Sequence, residues 1–202
     1  MSIRRLALGP VLFVLASSSI AIAGCGSDSP PVARAYVSSK VSVGSAGAAA
    51  CQVTEPTWIV IGTQNSGVND GDNNEQGVGV HVSCSVTANS DGSFQVNALA
   101  ALGNIGSVTM TGKFTTGHGD KQTGIRGVFQ RGDGLGHFEE SDCTATFEST
   151  DANFNTKDQP NAGVAAGRVW ATMVCPQAID SSHTSPLNCN AIAELKFENC
   201  SQ

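Results

Sequence analysis

The sequence predicts an all-β protein, an antiparallel two-sheet sandwich or jelly roll of about eight strands, braced by disulfides. Short segments with a two-residue hydrophobic period follow one another between turn residues, and no segment shows a convincing 3.6-residue period. The 23 glycines and the low charged fraction of 14% are typical of extracellular chains with many turns. A small open barrel is the alternative architecture.

The first element is a leader. Arg4 and Arg5 precede an uncharged, largely apolar run at residues 6–23, and the run ends at Ile22-Ala23-Gly24-Cys25. A basic segment, a short apolar segment and small residues directly before a cysteine are the features of a bacterial lipoprotein signal. By this resemblance residues 1–24 are a signal peptide and Cys25 carries the lipid. The alternatives are an uncleaved membrane anchor and an ordinary secretory peptide that is cut near Ala23.

Small and polar residues follow the leader. Residues 26–34 and 44–50 are nearly all small, polar or proline. We therefore predict a flexible lipid-anchored tether at residues 25–48, with a mean span of about 25 Å by random-coil scaling. A β-sandwich domain at residues 49–202 is predicted to follow. The alternative is a short edge strand within the tether, at Tyr36-Val37 and at residues 41–43.

The clearest strand of the domain lies at residues 78–86. A shorter apolar run at residues 58–61 opens the domain. In residues 78–86 valines and Cys84 alternate with glycine, histidine and serine, which is the pattern of a half-buried strand. The turn residues at 89–92 then lead into an alternating segment at 94–98, and together they predict a hairpin.

The second half of the chain continues the same pattern. A turn at residues 103–106 leads into a strand in which Val108, Met110 and Phe114 share one face. Further strands are predicted at residues 125–130, 138–147, 164–175 and 191–197. The last segment is also compatible with a helix. A strand is favoured because Ala193, Leu195 and Phe197 alternate.

The seven cysteines agree with the leader. If Cys25 carries lipid, an even number remains, which predicts three disulfides in an oxidising compartment. These six are Cys51, Cys84, Cys143, Cys175, Cys189 and Cys200. Fifteen pairings are possible; the pairing we favour, Cys175 with Cys189, closes a polar loop after a strand. A zinc site requires closely spaced ligand pairs, and the sequence contains none.

The charge of the chain argues against nucleic-acid binding. The full chain has a formal net charge of −6, and removal of residues 1–24 with Arg4 and Arg5 brings it to −8. Such a domain repels a polyanion at long range. The partners expected instead are the membrane, through the lipid at Cys25, and an envelope polysaccharide or protein.

One loop concentrates ligands for calcium. Asp70, Asp72 and Asn74 have the alternate spacing of the start of an EF-hand. Glu75 stands where the sharp-turn glycine belongs, and His81 stands where the closing glutamate belongs. A looser calcium site on a sandwich loop is the functional interpretation, and a solvated acidic loop is the structural one.

Catalytic motifs are absent from the sequence. There is no G-x-S-x-G, no H-E-x-x-H and no glycine-rich phosphate loop, so we predict a protein that is not an enzyme. The rival hypothesis is a hydrolase whose site is assembled from distant residues such as Glu140, Asp142 and His137. Glu139 and Glu140 do not form a catalytic pair, because neighbours on a strand point to opposite faces.

Two motifs in glycine-rich turns are weaker candidates. His118 and Asp120 offer two metal ligands, but a zinc site takes three or four from the protein. Arg131-Gly132-Asp133 is the tripeptide that integrin ligands display, and the need for a turn explains it here. Neither motif predicts a function.

Large aromatic residues with a polar edge are few. Trp58, Tyr36 and Trp170 are the residues on which a sugar ring would stack if they were exposed. Trp58 and Trp170 lie inside hydrophobic segments, which favours a place in the core. A broad aromatic platform for sugars is therefore not expected.

From Cys84 onward the chain resembles uncharacterised secreted β-rich lipoproteins of myxobacterial type. The resemblance rests on residues 167–171, on Cys175-Pro176 and on the closing residues 197–200. It implies a small β domain on an envelope lipoprotein, and it implies no activity. By resemblance to bacterial lipoproteins, Gly26 after the lipidated cysteine favours the outer membrane. We therefore expect a non-enzymatic envelope lipoprotein that binds a ligand or has a structural role, with a calcium-dependent carbohydrate- or wall-binding module as an alternative.

Overall fold

The computed structural model describes residues 30–202, apart from residues 54, 117–120, 133 and 135. The predicted signal peptide and Cys25 lie outside the described residues, and so do His118, Asp120 and Asp133. Residues Pro31–Gln202 form a compact unit. Within the described residues there is no helical segment with the length and apolarity needed to cross a bilayer.

The described chain is all-β and contains no helix. The strands are β1 (Arg34–Ser42), β2 (Glu55–Ile61), β3 (Val68–Asn69), β4 (Val80–Ala88), β5 (Phe94–Leu102), β6 (Gly106–Phe114), β7 (Gln122–Arg131), β8 (His137–Thr146), β9 (Glu148–Thr150), β10 (Thr156–Asp158), β11 (Gly163–Ala165), β12 (Arg168–Asp180) and β13 (Leu187–Glu198). The predicted strand at the C-terminal end is confirmed as β13.

One antiparallel sheet provides both layers of the sandwich. Its strand order is β2-β1-β13-β12-β8-β7-β6-β5-β4, with β3 paired to β1 and β11 paired to β12, while β9 and β10 form a separate ribbon. The sheet folds over on itself, so β2 packs against β5 and β6. At Gly106 on β6 an added Cβ would lie 3.0 Å from Ile59 Cδ1. The prediction of a disulfide-braced antiparallel sandwich is confirmed.

The core follows from the two-residue period. On β5, Val96, Ala98, Ala100 and Leu102 are buried, and the residues between them face outward. The register of β5 with β6 and of β6 with β7 continues this alternation across three strands. One face of this half of the sheet is therefore apolar and buried, and its other face is polar.

The prediction of a flexible tether at residues 25–48 is wrong for Arg34–Ser42. This segment is β1, which lies between β13 and β2 in the interior of the sheet. Ala35, Val37 and Val41 enter the core, and Ser39 fills an irregularity in the β1–β2 pairing. The Ser39 hydroxyl donates to the Ile59 carbonyl and accepts from the Ile59 amide, both at 3.2 Å. Ser39 therefore has a structural role in the strand, although serine is more common in linkers.

The predicted pairing of Cys175 with Cys189 is also wrong. The disulfides are Cys51–Cys189, Cys84–Cys200 and Cys143–Cys175. Cys175 and Cys189 lie on adjacent strands but out of register, because Cys175 is opposite Ala191 and Cys189 is opposite Ala178. The neighbouring strand β8 brings Cys143 to Cys175, with 4.4 Å between their Cα atoms.

A glycine on β7 gives the Cys143–Cys175 disulfide the space it occupies. A Cβ at Gly127 would lie 2.6 Å from Cys175 Sγ and 2.9 Å from Cys143 Sγ. Gly127→Ala should therefore lower the free energy of unfolding by about 1–3 kcal/mol through overpacking. Urea denaturation measures this loss. The matched control is Gly79→Ala, whose Cβ would meet nothing closer than Asn73 Oδ1 at 3.8 Å; equal stability of the two variants would contradict the prediction.

Candidate functional site

The outward face of β4, β5 and β6 forms a shallow groove of about 380 Å³, which we call the polar groove. The register places its side chains in two rows across the strands, with Ser83 opposite Leu99 and Leu99 opposite Thr109 in the first row. In the second row Ser85 is opposite Asn97, and Asn97 is opposite Thr111. The groove is lined by Ser83, Ser85, Asn97, Leu99, Thr109 and Thr111.

The C-terminal residues build one wall of the polar groove. Ser201 runs beside β4, where its amide donates to the Cys84 carbonyl at 3.0 Å and its carbonyl accepts from the Val86 amide at 2.9 Å. Its hydroxyl also donates to the Cys84 carbonyl at 3.1 Å. The Cys84–Cys200 disulfide ties this segment to the strand, so the wall is covalently fixed to the groove floor.

The polar groups of the groove are largely free of partners in the protein. Asn97 Nδ2 donates to Ser85 Oγ over a long distance of 3.5 Å. Within the part of the chain that the structure describes, the hydroxyls of Ser83, Thr109 and Thr111 make no hydrogen bond. Pockets that bind small molecules combine apolar surface with a few convergent polar groups, and this groove has both.

The charged side chains around the polar groove are paired with one another. Arg126, opposite Thr111 on the next strand, contacts Glu139 at 2.8 Å. Lys113 contacts Asp91 at 2.6 Å, and His81 Nδ1 lies 2.8 Å from Asp70 Oδ1. The hydrogen bond from Lys113, together with those from Ser93, holds the pKa of Asp91 below its usual range. The lining of the groove itself is uncharged.

A second shallow groove of about 220 Å³ continues along the same face. Its lining includes Ala101 and Ser107, which are opposite each other in the register next to the Leu99–Thr109 pair. Gln130 and Gly132 form its far side. The uncharged surface therefore extends from the Ser201 wall to the turn between β5 and β6. Sequence reasoning predicted the polar faces of these strands but missed the groove, because only the strand register brings the rows together.

A buried carboxylate on β13 forms a second, highly connected polar cluster. Glu194 on β13 is 0% exposed. Its Oε1 accepts from Gln64 Nε2 and from Trp170 Nε1, both at 2.9 Å, and its Oε2 accepts from the Thr150 amide and hydroxyl, both at 2.8 Å. These contacts join β13, β12, β9 and the loop after β2, and we call them the Glu194 cluster. Because both of its oxygens already accept hydrogen bonds from groups of the protein, the carboxylate has a structural role and not a ligand-binding one.

The candidate calcium loop lies between β3 and β4, and its side chains bond to the loop and to the start of β4. Asp70 Oδ1 accepts from the Val82 amide and contacts His81, and these contacts lower the pKa of Asp70. Asp72 Oδ2 accepts from Asn69 at 2.9 Å. Asn74 is buried, and its Oδ1 accepts from the Gln76 and Val78 amides. A calcium site at Asp70, Asp72 and Asn74 stays a prediction, and Asn74 would have to give up loop hydrogen bonds to join it.

Two of the three residues of the rival hydrolase hypothesis, Glu140 and Asp142, bond to the backbone of neighbouring strands, and His137 lies near Glu139 on its own strand. Glu140 Oε2 accepts from the Gln177 amide at 2.8 Å, and Asp142 Oδ1 accepts from the Gly124 amide at 3.2 Å. Partial burial raises the pKa of Glu140; the Gln177 hydrogen bond lowers it, and the charge of Asp142 raises it further. His137 Nε2 lies 3.8 Å from Glu139 Oε2.

One grouping of potential metal ligands occurs among the described residues, formed by Glu140, Cys143 and Cys175. The two cysteines are bonded to each other, so neither offers a thiolate. The grouping is therefore explained by the disulfide and provides no metal site.

The large aromatic residues do not form a stacking platform. Trp58 is 3% exposed and packs edge-on against Phe138, and Trp170 is 9% exposed and donates to Glu194. Burial, with a contribution from the charge of Glu194, raises the pKa of Tyr36 to about 12. Stacking of a sugar on these three rings is not available in this structure.

Comparison with known proteins assigns no relative. No family model matches the chain, and neither a curated protein nor a solved structure matches it. Any function therefore has to be inferred from the residues and their geometry.

Proposed function

We propose that this chain is a non-enzymatic envelope lipoprotein, anchored by a lipid at Cys25, that displays a disulfide-braced β domain with a ligand-binding face. The location follows the leader, and the outer membrane is the favoured membrane by resemblance. The ligand-binding face is the polar groove. A purely structural role is the alternative within the same class.

The cysteine pairing is the observation that carries the proposal. Six of the seven cysteines form three disulfides, and Cys25 is the one that has no partner among them. Disulfides persist in oxidising compartments outside the cytoplasm, which supports export. The seventh cysteine stands directly after Ile22-Ala23-Gly24, and in an exported chain this position supports the use of its thiol for a lipid.

The place of β1 shortens the proposed link between lipid and domain. The nine residues 25–33 precede the start of β1, and at full extension they reach about 30 Å. The domain is already held at Val32, whose carbonyl accepts from Asn199 Nδ2 at 3.0 Å. We therefore expect the domain to stay close to the membrane surface.

Replacement of the lipidation residue tests this proposal. Cys25→Ser should move most of the protein from the membrane fraction to the soluble fraction, because a serine oxygen does not accept the lipid. Cell fractionation followed by detergent phase separation measures the shift. The matched control is Ser27→Ala, which changes a neighbouring residue and should stay with the membrane. Retention in the membrane fraction of a Cys25→Ser protein that has lost residues 1–24 would contradict the lipid anchor.

A further inference from the structure

We propose that the polar groove binds a neutral glycan chain. This inference rests on the ligand-binding part of the proposed function and does not depend on the lipid. It names the binding face, the class of ligand and the mode of recognition. The evidence is the set of free hydrogen-bonding groups, the pairing of nearby charges and the shape of the groove.

The free polar groups match a ligand covered with hydroxyls. Hydroxyls both donate and accept, and the Asn97 amide offers two donors and an acceptor oxygen. Within the described residues Ser83, Thr109 and Thr111 have no competing partner in the protein. Side chains on adjacent strands lie about 4.8 Å apart, and alternate residues on a strand lie about 6.8 Å apart. The groove therefore presents a regular lattice of hydrogen-bonding groups to a chain of hydroxylated rings.

The charges around the groove favour an uncharged ligand. Arg126 and Lys113 are the basic side chains beside it, and each is neutralised by a carboxylate. Among the residues that the structure describes, no basic side chain lines the groove to bind an acidic sugar. The net charge of the domain is strongly negative and opposes an anionic polymer at long range. A neutral glycan needs no basic partner in the groove and is not repelled by the negative charge of the domain.

The shape of the site favours a chain over a compact molecule. The polar groove and its continuation are shallow and follow one face of the sheet from Ser201 to Gly132. Leu99 is half-buried at the centre, between Ser83 and Thr109, and gives the C–H face of a sugar ring an apolar contact. This contact replaces the aromatic stacking that the buried Trp58 and Trp170 cannot supply.

Sedimentation with insoluble polysaccharides tests the inference. The chain is expressed with its own leader, purified from membranes as the processed protein, and mixed with cellulose, starch, chitin and, as an anionic polymer, insoluble calcium alginate. We expect saturable binding to at least one neutral polysaccharide, unchanged between about 0.1 M and 1 M salt because no ion pair is involved. Thr109→Val with Thr111→Val should weaken that binding by about tenfold or more, because it removes two hydroxyls and keeps β-branched side chains.

The matched control is Thr87→Val, an exposed position on β4 outside the groove, which should bind like the unchanged protein. Absence of binding to every neutral polysaccharide overturns the inference. Binding that the double variant does not weaken also overturns it, as does salt-sensitive binding to alginate alone. Binding that EDTA abolishes and the double variant leaves intact would place the site at the Asp70–Asn74 loop and overturn the groove. Fractionation of the same protein tests the anchor separately, so either proposal can fail alone.

Discussion

Glu194→Ala is expected to lower the free energy of unfolding by about 3–5 kcal/mol. The substitution removes the acceptor shared by four donors, namely the half-buried Gln64 amide, the Trp170 indole, and the amide and hydroxyl of Thr150. The Gln64 amide keeps the Thr150 carbonyl as an acceptor at 3.4 Å. Each buried unpaired donor costs about 1–3 kcal/mol, and partial access of water reduces the sum. The two hydrogen bonds of Thr150, which anchor β9, should contribute most to this loss, because both of its donors bond to one carboxylate oxygen.

Glu194→Gln separates the hydrogen bonds from the volume of the side chain. The amide keeps one acceptor oxygen but turns an NH₂ group toward the two donors of the other pair. We expect a smaller loss of about 1–3 kcal/mol. Urea denaturation of both variants measures these losses. The control is Glu139→Ala, which breaks the exposed pair with Arg126 and should cost at most about 1 kcal/mol; a Glu194→Ala protein as stable as this control would contradict a structural role for the cluster.

Loss of the Cys51–Cys189 disulfide is expected to cost about 4 kcal/mol. The bond spans 138 residues of the chain. The loop that this bond closes is shorter than that, because the Cys84–Cys200 disulfide already links distant parts of the chain. The closed loop runs from Cys51 to Cys84, across that disulfide to Cys200, and back to Cys189. Loop-closure entropy for that loop gives the stated value. In the folded protein the bond holds the segment before β2 against β13, where the Asn188 amide also donates to the Ala50 carbonyl at 2.8 Å.

A double-mutant cycle tests the disulfide prediction. Cys51→Ala, Cys189→Ala and the double variant should be equally destabilised, because each removes the same bond. The measurement is urea denaturation at about pH 6, well below the ordinary thiol pKa of about 8.5, which limits disulfide exchange. Two small and additive losses from the single variants would contradict the prediction.

The strands were predictable where one face is buried and the other is polar. The alternation of Val80, Val82 and Val86 with polar residues predicts β4 directly, and the turn at residues 89–92 predicts its hairpin with β5. The same alternation exists in β1, where Ala35, Val37 and Val41 are buried. The pattern suggests only a short, interrupted edge strand as the alternative to a tether, because a serine occupies a core position at Ser39 and serine is more frequent in linkers than in cores.

The disulfides and the Glu194 cluster depend on contacts between distant parts of the chain. Cys143 and Cys175 meet because β8 is adjacent to β12, and that adjacency is a property of the sheet order. Glu194 lies mid-strand between Ala193 and Leu195, where a charge normally indicates a solvent-exposed position. Its burial requires Gln64 and Thr150, which are 130 and 44 residues away in the chain. Such distant partners cannot be predicted from the local sequence pattern.

The intact mass of the protein recovered from cell membranes tests the central proposal most directly. The predicted result is a chain that begins at Cys25, carries lipid on that residue and shows no free thiol until it is reduced, after which six cysteines react. A chain that retains residues 1–24, or that begins elsewhere without lipid and leaves the Cys25 thiol free, would contradict the proposal of a lipid-anchored, disulfide-braced envelope domain.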